Sequence, residues 1–207
     1  MTIPKLKLTY FDMHGGRGEA ARLALNIGGV DFEDNRISFA EAAAARDSFP
    51  FRRVPVLEID GQEVTHSNGI NRFVGKLADL YPNDPVQAAF CDEAMGAVED
   101  ITIATVATFS IQDEDEKKAA RARLVEGPLT LYLKRIQALL KKRGGEYFAE
   151  GRLTVADLKV FVWVRGLRSG NLDYVPADLS DKVAPLLVEH FERIDNHPKI
   201  REYYARA

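Results

Sequence analysis

VPVLEIDGQEVTHS, Val54 to Ser67, holds the most readable local structure in the chain. Two extended runs flank Asp60-Gly61, a two-residue connection that accepts the positive φ of a tight hairpin turn. Behind them Ile70, Phe73, Val74 and Leu77 recur at i, i+3, i+4 and i+7, one apolar face of a helix. Ser67 stands just ahead of that face as a candidate N-cap. Earlier in the chain Leu6, Leu8 and Tyr10 alternate with Lys5, Lys7 and Thr9, the pattern of a half-buried strand. Ala20, Leu23, Ala24 and Ile27 then follow at helical spacing up to a Gly28-Gly29 stop. Asp31 to Ile37 reads as a weak strand, and Ala40 to Arg46 as a short helix. The order so far is β-α-β-α-β-β-α.

DLYPNDP, Asp79 to Pro85, breaks this pattern with two prolines. No strand signal of similar strength follows. Val86 to Ile111 is one long helical candidate. Glu116 to Arg143 is another, with a kink or break expected at Gly127-Pro128. Thr154 to Asp157 forms a start signal of the capping-box kind. The helix behind it, LKVFVWVRGL, is apolar nearly all round and belongs in the middle of its unit. Val183 to Ile194 and Pro198 to Arg206 are expected as the last helices. The reading is an α/β domain over residues 1–80, a linker at 81–86 and an all-helical domain over 87–207.

The chain has 207 residues, 46% apolar and 29% charged, enough for one or two ordinary cores. A formal charge of −3 with scattered basic residues gives no footprint for nucleic acid. Cys91 is the single cysteine, which excludes an internal disulfide, a Cys-x-x-Cys pair and a zinc quartet. MTIPKLKLTY lacks the apolar core of a signal peptide, and no run approaches the roughly 18 apolar residues of a membrane span. These features lead to the expectation of a soluble, cytoplasmic protein with no nucleic-acid or membrane partner and no metal.

Open α/β sheets gather ligands at the ends of strands and the starts of helices. Tyr10 ends the first strand and Arg17 opens the first helix. Val54-Pro55 opens the third strand, and His66-Ser67 joins the fourth to the next helix. Pro55 has no N–H and suits a strand start. If its peptide bond is cis, the Val54 backbone is free to pair with a ligand's backbone. Ser67 and the N–H groups behind it can receive a carboxylate, and Arg46 and Arg53 can meet a second. The set suits a small peptide-like dianion. Tyr10 is the candidate for chemistry. A phenol, with a pKa of about 10, donates a hydrogen bond; aimed at a thiol sulfur, it stabilises the reactive thiolate.

Plainer readings stand beside these. Tyr10 is equally a strand-end aromatic, His66 a strand-end polar residue, and Arg17 and Arg22 exposed helix charges. His14 either borders a second pocket or is solvated in its turn. Phe11, Met13, Ile103 and Val106 are pocket walls or core, Trp163 is core, and Cys91 is a buried thiol.

Four pieces then carry a resemblance that covers nearly the whole chain. They are Tyr10-Phe11 before a glycine-rich turn with Arg17 and Glu19; PFRRVPVLEIDG from Pro50 to Gly61; the pair His66-Ser67; and LTVADL from Leu153 to Leu158. In this order and spacing they resemble the cytosolic glutathione transferases, most of all the sigma class. The resemblance implies a thioredoxin-like N-terminal domain, an all-α helical-bundle C-terminal domain and a homodimer. It also implies a detoxifying transferase with glutathione as co-substrate and a small apolar electrophile as second substrate.

Carried onto this chain, Tyr10 would hydrogen-bond the glutathione sulfur, with Arg17 supporting it electrostatically. Val54 would pair with the cysteinyl backbone beside cis-Pro55, and Ser67 would hold the γ-glutamyl carboxylate. Arg46 and Arg53 would lie near the glycine end. The turn holds one residue more than the family pattern. His66 replaces a glutamine, Ala42 a tryptophan and Gly96 an aspartate, with Glu99 and Asp100 one turn further on. The alternatives are a non-catalytic glutathione-binding structural or carrier protein, and a glutathione-dependent isomerase or peroxidase. A thiol-disulfide oxidoreductase is disfavoured, because no cysteine occupies the active-site position.

Overall fold

Leu6, Leu8 and Tyr10 turn inward from β1 (Leu6–Phe11) and all three are buried. In the computed structural model, which describes residues 3–206, this strand is central in a four-stranded sheet of order β2-β1-β3-β4. β2 (Glu33–Ile37) runs parallel to β1, with Arg36 opposite Tyr10. β3 (Val56–Ile59) is antiparallel to β1, and β4 (Gln62–Thr65) to β3. The parallel pair needs a crossover, supplied by α1 (Gly16–Gly28). Asp60 at φ 49° and Gly61 at φ 82° close the hairpin as their residue types demand.

α3 (Ser67–Leu77) packs beside α1, and Ile70, Val74, Leu23 and Leu25 join Leu8 and Leu57 in the core. α2 (Phe39–Ala44) buries none of its residues. A capping box sustains it: the Ser38 hydroxyl accepts the Glu41 N–H while the Glu41 carboxylate accepts the Ser38 N–H.

The second half is helical. α4 (Pro85–Val106) opens on Asp84, whose carboxylate accepts the Val86 and Gln87 N–H groups. It ends before the expected Ile111. Thr102, Thr105 and Thr108 donate their hydroxyls to backbone carbonyls three or four residues back, and the chain leaves the helix in turns. Between α5 (Glu114–Leu124) and α6 (Thr130–Lys142) the expected kink at Gly127-Pro128 takes the form of a π turn over Val125–Leu129. The wider turn accommodates the proline, and the Thr130 hydroxyl donates to the Val125 carbonyl at 2.6 Å.

α7 (Val155–Arg168) is buried nearly all round, as its composition requires. Each fully buried large side chain in it contributes about 2 kcal/mol of transfer free energy. Asp157 anchors its start. Its carboxylate accepts the Thr154 N–H at 2.8 Å, the Thr154 hydroxyl at 2.7 Å and the Phe148 N–H at 3.0 Å, and meets His190 Nε2 at 3.0 Å. α8 (Leu179–Val183), α9 (Pro185–Asp195) and α10 (Pro198–Ala205) complete the chain. Val183 belongs to α8 rather than to the following helix, because Ala184 leaves helical geometry (φ −148°, ψ 59°) and Pro185 opens α9. α7 packs on α1, α4 and α9, and the Val155 N–H donates to the Leu80 carbonyl at 2.8 Å. The helical half therefore meets the sheet half through its most buried helix.

Candidate functional site

β1 ends at Phe11, and the chain turns into α1 directly over Tyr10. The tyrosine is 5% exposed, and its hydroxyl accepts the Arg17 N–H at 2.8 Å. A Cβ on Gly16 would lie 2.4 Å from that oxygen, and one on Gly18 would lie 2.4 Å from the ring Cγ. The helix start rests on the tyrosine so closely that only glycine fits at both places. Arg22, fully buried, fastens the turn from behind. Its guanidinium donates to the Phe11 and Met13 carbonyls at 3.1 Å each and pairs with Asp34 at 2.8 Å.

Burial raises the Tyr10 pKa, outweighing the Arg17 and Gly18 N–H groups and the Arg17 and Arg22 charges that pull it down. The phenol is therefore protonated at neutral pH. No acceptor among the described residues takes its proton, so the hydroxyl remains free to donate.

In front of this turn opens a cleft of about 810 Å³, within the usual range for a small-molecule site. Arg17, Arg46, Arg53, Val54, Pro55, His66 and Ser67 all line it, together with Ala42 and Asn68. Phe11, Phe39, Ile103 and Val106 form its apolar part. Tyr10 is not among the lining residues; its hydroxyl meets the backbone N–H of Arg17, which lines the cleft. The Val54-Pro55 peptide bond is cis, and Val54 lies outside the strand ladder, which begins at Val56.

One corner of the cleft is charged. Glu99, from α4, accepts Arg17 Nε at 2.7 Å on one carboxylate oxygen. Its other oxygen takes the Lys159 ammonium at 2.9 Å and the Ser67 hydroxyl at 3.2 Å. Lys159 comes from α7, is 6% exposed, and also reaches Ser67 Oγ at 3.3 Å and Asn68 Oδ1. Burial alone would raise the Glu99 pKa, but Lys159 and then Arg17 outweigh it and hold the carboxyl down at about 2. Lys159 is shifted down, because burial and the Arg17 charge outweigh the attraction of Glu99.

Several expectations change here. Ser67 is the first residue of α3 rather than its N-cap; His66, at φ 63°, holds that position without a capping side chain. The serine hydroxyl is drawn to Glu99 instead. The imidazole of His66 lies edge-on to the Phe51 ring. Arg22 is no exposed helix charge. His14 is not on the cleft: it stays exposed in its turn, meeting Glu19 at 3.1 Å and packing edge-on against Tyr203 and Tyr204. Gly96 is not on the cleft wall, and Asp100 accepts the Tyr132 hydroxyl elsewhere, leaving Glu99 as the acidic residue of α4 that reaches the site. Sequence reasoning missed Lys159, whose signal is a lysine at the fifth position of a helix that is otherwise mostly apolar up to Val164. Among the described residues no group of His, Cys, Asp or Glu side chains is placed to hold a metal ion, and no helix is long and apolar enough to cross a membrane.

Comparison with known proteins places this geometry in context. Residues 6–76 match the model of the glutathione S-transferase N-terminal domain, and residues 99–207 match that of the C-terminal domain. Glutathione S-transferase 1 of Ascaris suum is 28% identical over 98% of this chain and 97% of its own length. The structure of prostaglandin synthase D of Nilaparvata lugens superposes with a TM-score of 0.86 at 29% identity, covering 98% of each chain. A Fasciola hepatica sigma class glutathione transferase superposes with a TM-score of 0.83 at 25% identity, covering 99% of this chain and 97% of that one.

Proposed function

The chain belongs to the glutathione S-transferase family, and from that membership we propose that it is a tyrosine-type glutathione transferase acting on apolar electrophiles. In this reading glutathione lies along the polar wall of the cleft. Arg46 and Arg53 take the glycine carboxylate, the Val54 backbone pairs with the cysteinyl unit, and His66 and Ser67 take the γ-glutamyl end. The Tyr10 hydroxyl, already receiving the Arg17 N–H, donates its free proton to the sulfur and so favours the thiolate. The Arg17 charge adds to that stabilisation. With an aryl halide, the sulfur–carbon bond forms as the carbon–halogen bond breaks, and halide leaves.

The observation that carries the reading is the convergence on one cleft of a cationic, carboxylate-receiving wall and an apolar wall of Phe11, Phe39, Ile103 and Val106. It is tested by assaying conjugation of glutathione to an aryl halide with the wild type and Tyr10→Phe. The expected result is a loss of about a hundredfold in kcat, the scale of removing one preorganised donor, with glutathione still bound. Equal rates overturn the role of Tyr10. Binding without turnover across a panel of electrophiles and peroxides supports the carrier reading instead.

Glutathione-dependent isomerisation is a second reading, favoured by the similarity to the Nilaparvata lugens protein named as a prostaglandin synthase. The same thiolate would serve it. The reading also includes the sigma class, supported by the Fasciola hepatica similarity, and a cytoplasmic homodimer. Phe51, 74% exposed in the short 3-10 turn Pro50–Arg52, supports a contact between copies, and sedimentation velocity measures it.

A further inference from the structure

We infer that Lys159, carried by the helical half, is a specificity-determining residue for the carboxylate of an amino-acid head held at Ser67, so that the cleft selects γ-glutamyl thiols over thiols lacking that carboxylate. This rests on the glutathione reading above, and deepens it by assigning a residue outside the α/β half to the site.

Three observations support it. First, the lysine lies where a lysine is costly. It is 6% exposed and sits on a helix whose first six residues are all buried. A buried ammonium survives only with partners, and an apolar side chain of the same length would pack there without that requirement. Second, the corner does not balance. Arg17 and Lys159 bring two positive charges, and Glu99 is the one carboxylate that pairs with either among the described residues. Two positive charges share one carboxylate beside the cleft, so a ligand carboxylate finds a cation with which to pair.

Third, the distances reach. Ser67 Oγ is 3.3 Å from the Lys159 ammonium. A carboxylate oxygen that takes the Ser67 hydroxyl proton over from Glu99, at about 2.8 Å, lies no more than about 6 Å from the charge, in a site where screening is weak. The N–H groups at the start of α3 face the same carboxylate. An α-amino-acid head also carries an ammonium, and Glu99, open to the cleft, is the group of opposite sign to receive it. The corner thus matches a zwitterion: carboxylate toward Lys159 and Ser67, ammonium toward Glu99.

Calorimetric titration tests this with two ligands. One is glutathione; the other is γ-aminobutyryl-cysteinylglycine, which keeps the thiol, the glycine carboxylate and the ammonium but lacks the γ-glutamyl α-carboxylate. The wild type is expected to prefer glutathione by at least about tenfold. Lys159→Met should remove most of that preference, weakening glutathione while leaving the analogue nearly unchanged. Lys159→Arg, which retains the charge, should restore it. In turnover, Lys159→Met should raise KM for glutathione more than it lowers kcat. Equal weakening of both ligands by Lys159→Met, or an unchanged preference, overturns the inference. Where Lys159→Met fails to fold by circular dichroism, Lys159→Gln takes its place. A wild type that binds both ligands alike overturns the role of Lys159 without any variant. A wild type that binds neither overturns the glutathione reading itself.

Discussion

Replacing Gly18 with alanine puts a methyl carbon 2.4 Å from Cγ, 2.5 Å from Cδ1 and 2.9 Å from Cβ of Tyr10. Non-bonded carbons rest at about 3.5–4.0 Å, so one partner must move by roughly 1 Å. Neither yields easily. Tyr10 is held in the sheet opposite Arg36, and because its Cβ takes part in the clash, turning the ring does not clear it. On the other side Arg22 ties α1 to the Phe11 and Met13 carbonyls. Overpacking of this kind costs about 1–3 kcal/mol. The better helix propensity of alanine returns up to about 1 kcal/mol. The net loss, about 0–3 kcal/mol from these two effects, leaves a folded protein. In the role proposed for Tyr10 the effect on chemistry is larger, since a reacting hydroxyl displaced by about 1 Å loses about a hundredfold in kcat. Urea denaturation and the aryl halide assay measure the two quantities on one preparation. Gly166→Ala is the control: it lies in α7 with nothing within 4 Å of an added Cβ, and should gain about 0.5–1 kcal/mol. A Gly18→Ala variant with wild-type rate and stability refutes the reasoning. Lost stability with full rate refutes only the link to the hydroxyl.

Glu99 and Cys91 yield two further tests. The Glu99 carboxyl is held at about 2 when folded, against an ordinary 4.5. Between those values the unfolded chain binds the proton and the folded chain does not, so stability falls as pH drops through that window. The shift corresponds to on the order of 3 kcal/mol. Glu99→Gln lacks this contribution at every pH. The stability gap between wild type and variant should therefore narrow from neutral pH toward about pH 3 in chemical denaturation, and a gap that stays constant contradicts the ion-pair assignment. Cys91 is fully buried, and burial pushes its thiol up to about 12. A chromogenic disulfide reagent should label it only after denaturant is added; rapid labelling of the native protein would show the packing around it to be wrong.

What the sequence disclosed and what it withheld divide along one physical line. The hairpin at Asp60-Gly61, the apolar face from Ile70 to Leu77 and the cap at Asp157 were legible because each is written in neighbouring residues. Turn chemistry, helical spacing and a capping carboxylate act over a few positions. Seven of the eight candidate site residues were found on the cleft wall for the same reason: they stand at strand ends and helix starts, which local patterns locate. Ser67 was misjudged because its partners are distant. Glu99 lies 32 residues away and Lys159 lies 92 residues away. Nothing adjacent to the serine announces that two later helices converge on its hydroxyl. Arg22 was unreadable as a buried residue for the same reason. Besides Glu19, three residues back on its own helix at 3.5 Å, its partners are the Phe11 and Met13 carbonyls and a carboxylate from another strand, which only the folded sheet brings together. The end of α4 was missed because threonines that fit an apolar helical pattern also turn their hydroxyls onto the backbone.

The bond from the Val155 N–H to the Leu80 carbonyl, with α7 seated on α1, has a consequence for recombination. The α/β half is not a portable cassette. Cut free after residue 80, it would bare the apolar side of α1, leave the Leu80 carbonyl without its donor, and separate Ser67 from both Glu99 and Lys159. A chimera joining this first half to another protein's helices would therefore exchange part of the polar corner along with the apolar wall. In the function proposed here, its grip on the thiol and its choice of electrophile would change together rather than independently.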